Sequence, residues 1–146
     1  MEETYNLSRF LEAQSDGVFD RALSEIKRGQ KTTHWMWFIF PQIIGLGQSE
    51  IARYYSIKNT AEARAYLEDP TLGTRLRECC KILNSHQGND AFSIFGSPDD
   101  LKLFSSMTLF DYISSDDIFS QILSKFYAGK RDPKTIKIIE RQEQEI

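Results

Sequence analysis

The amino-acid sequence predicts an all-α protein: a single compact domain of about six to eight helices with short loops. Three dipeptides repeat one helix-start signal, Asp69-Pro70, Ser97-Pro98 and Asp132-Pro133, and an apolar pattern of helical period follows each of them. No segment shows a sustained alternation of apolar and polar residues bounded by hairpin turns. The length of 146 residues, without repeats or linkers, indicates one domain over residues 1–146.

The first third of the chain contains three predicted helical segments. SRFLEAQ is expected to form a short helix, and Asp16 to cap a helix that carries an apolar face and stops at Gly29. That face comprises Val18, Phe19, Ala22, Leu23 and Ile26. WMWFIF has strand-forming residues but no obvious partner strand. We therefore predict a buried helix or irregular helical segment that ends at Pro41.

Two more helices are predicted between Pro41 and the first of the three dipeptides. PQIIGLGQS resembles a phosphate-binding turn only weakly, since it lacks the flanking residues of known glycine-rich motifs. It is better explained as a turn that leads into a helix capped by Ser49. Thr60 is expected to cap AEARAYLE, which is rich in helix-forming alanine and glutamate.

The C-terminal half contains four predicted helices. The helix after Pro70 has one apolar face, made by Leu72, Leu76, Cys79, Cys80 and Leu83. A stripe of Leu103, Met107 and Phe110 follows Pro98. Asp116 or Asp117 is expected to open the next helix, which closes near Gly129. The last helix follows Pro133 and is expected to end in a polar tail, residues 140–146.

Composition and charge exclude several classes of function. Acidic residues outnumber basic ones, 21 to 18, and the net charge of −3 makes duplex nucleic acid an unlikely partner. No apolar run is long enough to span a membrane, and the N-terminus lacks the pattern of a secretory signal. Cys79 and Cys80 are most simply free thiols on a helix in a reducing cytoplasm. The residue spacing predicts no metal site, and we expect no cofactor.

The first candidate site is KTTHWMW, which combines a cation, hydroxyls, a histidine and two indoles. Lys31, Trp35 and Trp37 are candidate ligand-binding residues, because indoles stack on flat rings and cations. His34 is a candidate catalytic residue, because histidine exchanges protons near neutral pH. The alternative is a structural role, in which the tryptophans belong to the core and the histidine forms a hydrogen bond with a carbonyl at the edge of the core.

The second candidate site lies on the helix after Pro98. Asp100 is a candidate acid or base, and Lys102, Ser105 and Ser106 are candidate ligand-binding residues. Serine is not a preferred residue in the middle of a helix, so this pair either presents hydroxyls to a ligand or lets neighbouring helices approach.

Three blocks of sequence carry a resemblance to a known family: residues 34–49, 61–78 and 94–110. They begin HWMWFIFPQ, AEARAYLED and IFGSPDDLK, and in this order they resemble a bacterial family called domain of unknown function 1810. Members of that family are often mislabelled calpastatin, although nothing here resembles a disordered protease inhibitor. The resemblance runs from about Phe10 to Ile139 and implies a mainly helical fold. It implies no catalytic residue, since no activity is established for the family.

Two function hypotheses follow from these patterns. The first is a pocket between helices that binds a small polar or aromatic ligand, such as a nucleotide or an ADP-ribose-like molecule. If the protein is an enzyme, hydrolysis or group transfer with His34 or Asp100 as acid or base is the concrete form. The alternative is a non-catalytic protein-interaction module whose aromatics are core. Single-stranded nucleic acid is a third option that the acidic composition disfavours, and no feature indicates an oligomeric state.

Overall fold

The structure is a computed structural model, and it describes residues 5–145. These residues form ten α-helices: α1 (Ser8–Ala13), α2 (Val18–Arg28), α3 (Met36–Ile39), α4 (Glu50–Tyr54), α5 (Thr60–Glu68), α6 (Leu72–Ser85), α7 (Ala91–Phe95), α8 (Asp99–Ile113), α9 (Ile118–Tyr127) and α10 (Pro133–Gln144). The predicted all-α class is confirmed. The predicted number of six to eight helices is too low, because several of the ten span only one turn or slightly more.

Helix α7 accounts for part of that difference. It spans five residues and is capped by the side chain of Asp90, which accepts a hydrogen bond from the backbone N–H of Phe92. A helix this short does not complete two turns, so its apolar residues cannot show a helical period. Helix α3 is shorter still, with four residues, and confirms the prediction of a buried helical segment before Pro41.

Three predicted caps are confirmed by side-chain hydrogen bonds. Ser49 accepts from Ala52 N at 3.2 Å. Asp117 accepts from Ile118 N at 2.7 Å, and Asp132 accepts from Lys134 N at 3.2 Å. The residues predicted as a polar tail, 140–146, continue α10 as far as Gln144, and Ile146 lies outside the described part of the chain.

Three other predicted caps are wrong by one residue each. Gly17, in the left-handed region with φ 83°, precedes α2 in place of Asp16. Asn59 caps α5 in place of Thr60, because its side chain reaches Glu62 N at 2.8 Å. Ser97 does not cap α8, which begins after Pro98 without a side-chain cap.

Helix α8 is the centre of the fold. It packs against α5, α7, α9 and α10, and its residues from position 105 to 111 are all buried. The predicted stripe of Leu103, Met107 and Phe110 is confirmed, since each of these side chains is fully buried. Three small hydroxyl side chains, Ser105, Ser106 and Thr108, are buried beside this stripe. Thr108, for example, donates to Phe104 O and accepts from Asp132 N, which brings the start of α10 against α8.

The two cysteines belong to the core, as predicted from their place on the apolar face of α6. Both are free and buried. Burial raises the pKa of the Cys79 thiol to about 12 and also raises the pKa of Cys80. Thiols of this kind are protonated at neutral pH and are poor nucleophiles.

Gly73 permits the close packing of α5 on α6. A Cβ atom built at this position would lie 1.9 Å from the carbonyl oxygen of Leu67. Alanine normally stabilises a helix relative to glycine by up to about 1 kcal/mol. We expect Gly73→Ala to do the reverse and lower the free energy of unfolding by about 1–3 kcal/mol, because backbone atoms must shift. Urea unfolding followed by circular dichroism measures this change.

Gly88→Ala is the matched control, since a Cβ atom at Gly88 meets nothing within 4 Å. An unchanged or increased stability of Gly73→Ala would show that the two helices separate without cost.

Candidate ligand-binding cleft

A cleft of about 390 Å³ lies along the N-terminal half of α8. Its walls come from α8, from the segment that follows α3 and from the start of α10. The lining residues are Gln42, Leu46, Gly47, Pro98, Leu101, Lys102, Phe104, Ser105, Asp132 and Lys134. We call this feature the α8 cleft. Its size falls within the range of small-molecule sites, about 300–1,000 Å³.

The segment between α3 and α4 is held in place by one short parallel pairing. Ile44 N donates to Ile57 O, and Ile57 N donates to Gln42 O, both at 2.8 Å. Ile43 and Ile57 are themselves buried in the core. The pairing thereby fixes Gln42 and the following turn as one wall of the α8 cleft.

The opposite wall contains a buried carboxylate with hydroxyl partners. Asp132 is 7% exposed. It accepts hydrogen bonds from Ser105 Oγ at 2.8 Å and Thr135 Oγ1 at 2.7 Å, in addition to capping α10. Ser105 therefore joins two helices, as the structural alternative predicts, and it also lines the cleft.

Lys102 lies where the cleft meets the predicted aromatic site. Its ammonium group is 4.8 Å from the centre of the Trp37 ring and 3.5 Å from Asp99 Oδ1. Asp99 has a closer partner on its other side, because Lys31 Nζ lies 2.8 Å from Oδ2. Lys31 in turn lies 5.0 Å from the centre of the Trp35 ring. These contacts link the two predicted sites through a continuous chain of side chains, of which Trp35 is buried and Lys31 is only 8% exposed.

The segment that carries Lys31 to Trp35 is organised by Glu25, a carboxylate of α2 that is 3% exposed. Its Oε1 accepts from Thr32 N, Thr33 N and Trp35 Nε1 at 2.7–3.0 Å, and its Oε2 accepts from Thr33 Oγ1 at 2.6 Å. Burial raises the pKa of the Glu25 carboxyl, but these hydrogen bonds outweigh burial and lower the pKa to about 2. The loop is thus wrapped around an ionised side chain.

Some of the predicted site residues line or adjoin the α8 cleft, and the others do not. Lys102 and Ser105 line the cleft, and Trp37, half-buried, lies under Lys102. Trp35 is buried in the core, which agrees with the structural alternative. Lys31 forms an ion pair with Asp99.

The other three predicted residues, His34, Asp100 and Ser106, are outside the lining of the α8 cleft. His34 is exposed, whereas Ser106 is fully buried. The Oγ atom of Ser106 and the Oδ1 atom of Asp100 are buried and have no hydrogen-bond partner among the described residues.

Glu25, Asp132 and Lys134 were not predicted as site residues. A signal for Glu25 exists in the sequence: it lies seven residues after Val18 and three after Ala22, which places a charge on the apolar face of α2. Asp132 was identified only as a cap. Its contact with Ser105 joins residues 27 positions apart, and no local pattern encodes such a contact.

Two further observations bear on the class of site. Between Tyr5 and Glu145, no three side chains of histidine, cysteine, aspartate or glutamate converge as a metal site would require. Over the same residues, none of the helices is both long enough and apolar enough to cross a bilayer.

The fold and the cleft together define an all-helical single domain with a mixed apolar and cationic cleft beside its central helix. The chain belongs to the family of proteins of unknown function 1810 (DUF1810), whose model matches residues 4–139. It is also similar to the crystal structure of a conserved hypothetical protein from Mycobacterium tuberculosis, with a TM-score of 0.91 and 43% sequence identity. The match covers 94% of this chain and 99% of that one. None of the curated proteins matches the chain.

Proposed function

We propose that the α8 cleft binds a small anionic molecule that also carries an aromatic or apolar group, as a nucleotide does. The observation that supports this most directly is the pairing of two lysines with an apolar wall. Lys102 and Lys134 line the same cleft as Leu46, Leu101 and Phe104. Such a cleft offers charge to one end of a ligand and apolar contact to the other.

The charge of Lys102 is only weakly offset by its neighbours. The Asp99 carboxylate is shared, and its close ion pair of 2.8 Å is with Lys31 rather than Lys102. Among the residues that line the cleft, Lys102 and Lys134 outnumber the one carboxylate, Asp132, and leave a net positive charge. A phosphate would gain a charge-assisted hydrogen bond from Lys102 without displacing the tighter pair.

The apolar wall is suited to a planar group. Phe104 stacks on Tyr127 with ring centres 4.6 Å apart, and the Tyr127 hydroxyl donates to Asp100 O at 2.5 Å. Leu101 is 58% exposed at the rim. Burying these side chains under a ring would contribute about 25 cal/mol for each Å² of apolar surface removed from water.

A catalytic role for this site would depend on Asp100 more than on His34. One carboxylate oxygen of Asp100 is buried and lacks a partner among residues 5–145. The backbone oxygen of Asp100 accepts from Tyr127, which stacks on the lining residue Phe104. His34 is exposed to solvent. If the cleft is catalytic, the reaction would be a hydrolysis or group transfer with one of these two residues as acid or base.

Binding is expected to raise the thermal transition of the protein in the presence of ADP. A ligand at a hundredfold excess over its Kd stabilises the folded state by about 2.7 kcal/mol, since it binds that state alone. Lys102→Ala should weaken ADP binding about tenfold or more, because a charge-assisted hydrogen bond is lost. Differential scanning fluorimetry over an ADP titration measures both effects. Lys81→Ala, at an exposed lysine of α6, is the matched control.

Trp37 offers a second measurement. An anion that draws Lys102 away from the indole should change tryptophan fluorescence, and Trp37→Phe should remove that change while the thermal shift persists. If AMP, ADP and inorganic phosphate all leave both signals flat in a folded protein, the proposal is wrong.

The alternative is a non-catalytic interaction module whose aromatics are core. It is favoured by the burial of Trp35, Phe38 and Phe40. Trp35 and Phe40 also pack with Phe95 in one aromatic cluster. The two functions are compatible, because core aromatics do not compete with a ligand in the cleft.

A further inference from the structure

A second surface, separate from the α8 cleft, surrounds helix α4. None of the residues in α4 is buried. Ile51 and Tyr54, one turn apart on this helix, are 42% and 54% exposed, and Ile44 beside them is 41% exposed. With Arg53 and Lys58, these residues form what we call the Tyr54 surface.

A shallow depression in this surface combines apolar and cationic groups. It is lined by Asn6, Arg9, Ile44, Arg53, Tyr54, Ser56 and Lys58. These lining residues include three cations and no carboxylate, although the whole chain carries a net charge of −3. A local cationic patch on an acidic protein indicates a partner of opposite charge.

The buried cation of the depression is already paired, whereas the two exposed cations have no carboxylate partner in the described part of the chain. Arg9, at the floor, forms an ion pair of 3.0 Å with Glu62 and donates to Tyr54 O and Ser56 O. Arg53 and Lys58 are exposed and have no ion-pair partner within residues 5–145. The anion would therefore meet these two side chains, while Arg9 keeps the backbone beneath them rigid.

The size of the depression favours a protein segment over a small molecule. Its volume is about 230 Å³, which is below the usual range for small-molecule sites of about 300–1,000 Å³. Its exposed isoleucines continue beyond the depression and offer nothing to a phosphate backbone. Tyrosine and arginine beside aliphatic side chains are typical of protein interfaces.

We infer that the Tyr54 surface binds an acidic, partly apolar segment of a partner protein. Carboxylates of that segment pair with Arg53 and Lys58, and its apolar side chains cover Ile44, Ile51 and Tyr54. This inference is independent of the proposed ligand cleft, so either can fail without the other.

The test uses the full chain and two short fluorescein-labelled peptides. One alternates glutamate with leucine, and the other has lysine in place of each glutamate. Fluorescence anisotropy should show binding of the acidic peptide alone, weakened by added salt. The double variant Arg53→Glu/Lys58→Glu should weaken binding about tenfold or more through charge repulsion. Tyr54→Ser should also weaken it, through loss of apolar contact.

Lys81→Glu is the matched control, because it makes a comparable charge change on exposed α6. Far-ultraviolet circular dichroism checks that every variant remains folded. The inference is overturned if the acidic peptide does not bind, or if Lys81→Glu weakens binding as much as the double variant does. It is also overturned if a single-stranded oligonucleotide binds more tightly and responds to the same substitutions, which would assign the surface to nucleic acid.

Discussion

Glu25→Gln should lower the free energy of unfolding by about 3 kcal/mol at neutral pH. The pKa of this carboxyl is about 2 in the folded protein, against an ordinary value of 4.5. The difference corresponds to about 3 kcal/mol of stabilisation by the ionised form. Glutamine keeps the shape of the side chain but removes the charge. Its amide oxygen can still accept from Thr32, Thr33 and Trp35, but its N–H₂ replaces the oxygen that accepted from the Thr33 hydroxyl.

The same substitution has a defined pH dependence. A lowered folded pKa stabilises the protein fully above about pH 4.5, and the contribution disappears as the pH falls towards 2. The stability gap between wild type and Glu25→Gln should therefore narrow steadily below pH 4.5. Urea unfolding at a series of pH values measures that gap. Glu78→Gln, at an exposed glutamate, should show no gap at any pH, and a constant gap for Glu25→Gln would contradict the assignment of charge.

Arg9→Met should destabilise the fold by about 3–5 kcal/mol, because it leaves Glu62 buried without its counter-ion. The two side chains are 5% and 0% exposed and lie 3.0 Å apart. Glu62 Oε1 also accepts from Lys58 N at 2.7 Å. The carboxylate therefore cannot turn towards solvent without losing this hydrogen bond to the segment that precedes α5. Chemical denaturation at neutral pH measures the loss.

The double variant Arg9→Met/Glu62→Met distinguishes lost charge pairing from lost packing. It should be more stable than the sum of the two single losses predicts, since no unpaired charge remains. Arg64→Met is the matched control, because Arg64 is exposed on the same helix as Glu62. Strict additivity of the two single losses would show that the ion pair itself contributes nothing.

The sequence predicted the helical class and the buried faces because both depend on local pattern. The stripe through Leu103, Met107 and Phe110 repeats at helical spacing, and no other secondary structure buries those residues together. Caps were predicted less well. Asn59 and Thr60 are both good capping residues, and only the observed backbone decides which side chain reaches Glu62 N.

The candidate site was predicted only in part, for a different reason. Lys102 and Trp37 were each identified as ligand-binding candidates from composition, but their contact joins residues distant in sequence. By residue type alone, Trp35 and Trp37 are equally good candidates for a ligand-binding residue. The structure separates them because the loop wraps around Glu25 and turns one indole inward. Contacts of this kind arise from tertiary packing, which periodicity and propensity do not encode.

The parallel pairing of Ile43 with Ile57 allows the length of the chain between them to vary at little cost in stability. The ends of that segment are fixed to each other by two backbone hydrogen bonds and by burial of both isoleucines. Doubling the length of a loop with fixed ends costs only about 0.6 kcal/mol in closure entropy. Gln48, exposed near the tip, is therefore a position where homologues can gain or lose residues without disturbing the helices. The α8 cleft and the Tyr54 surface, which both draw residues from this segment, can diversify while the core remains constant.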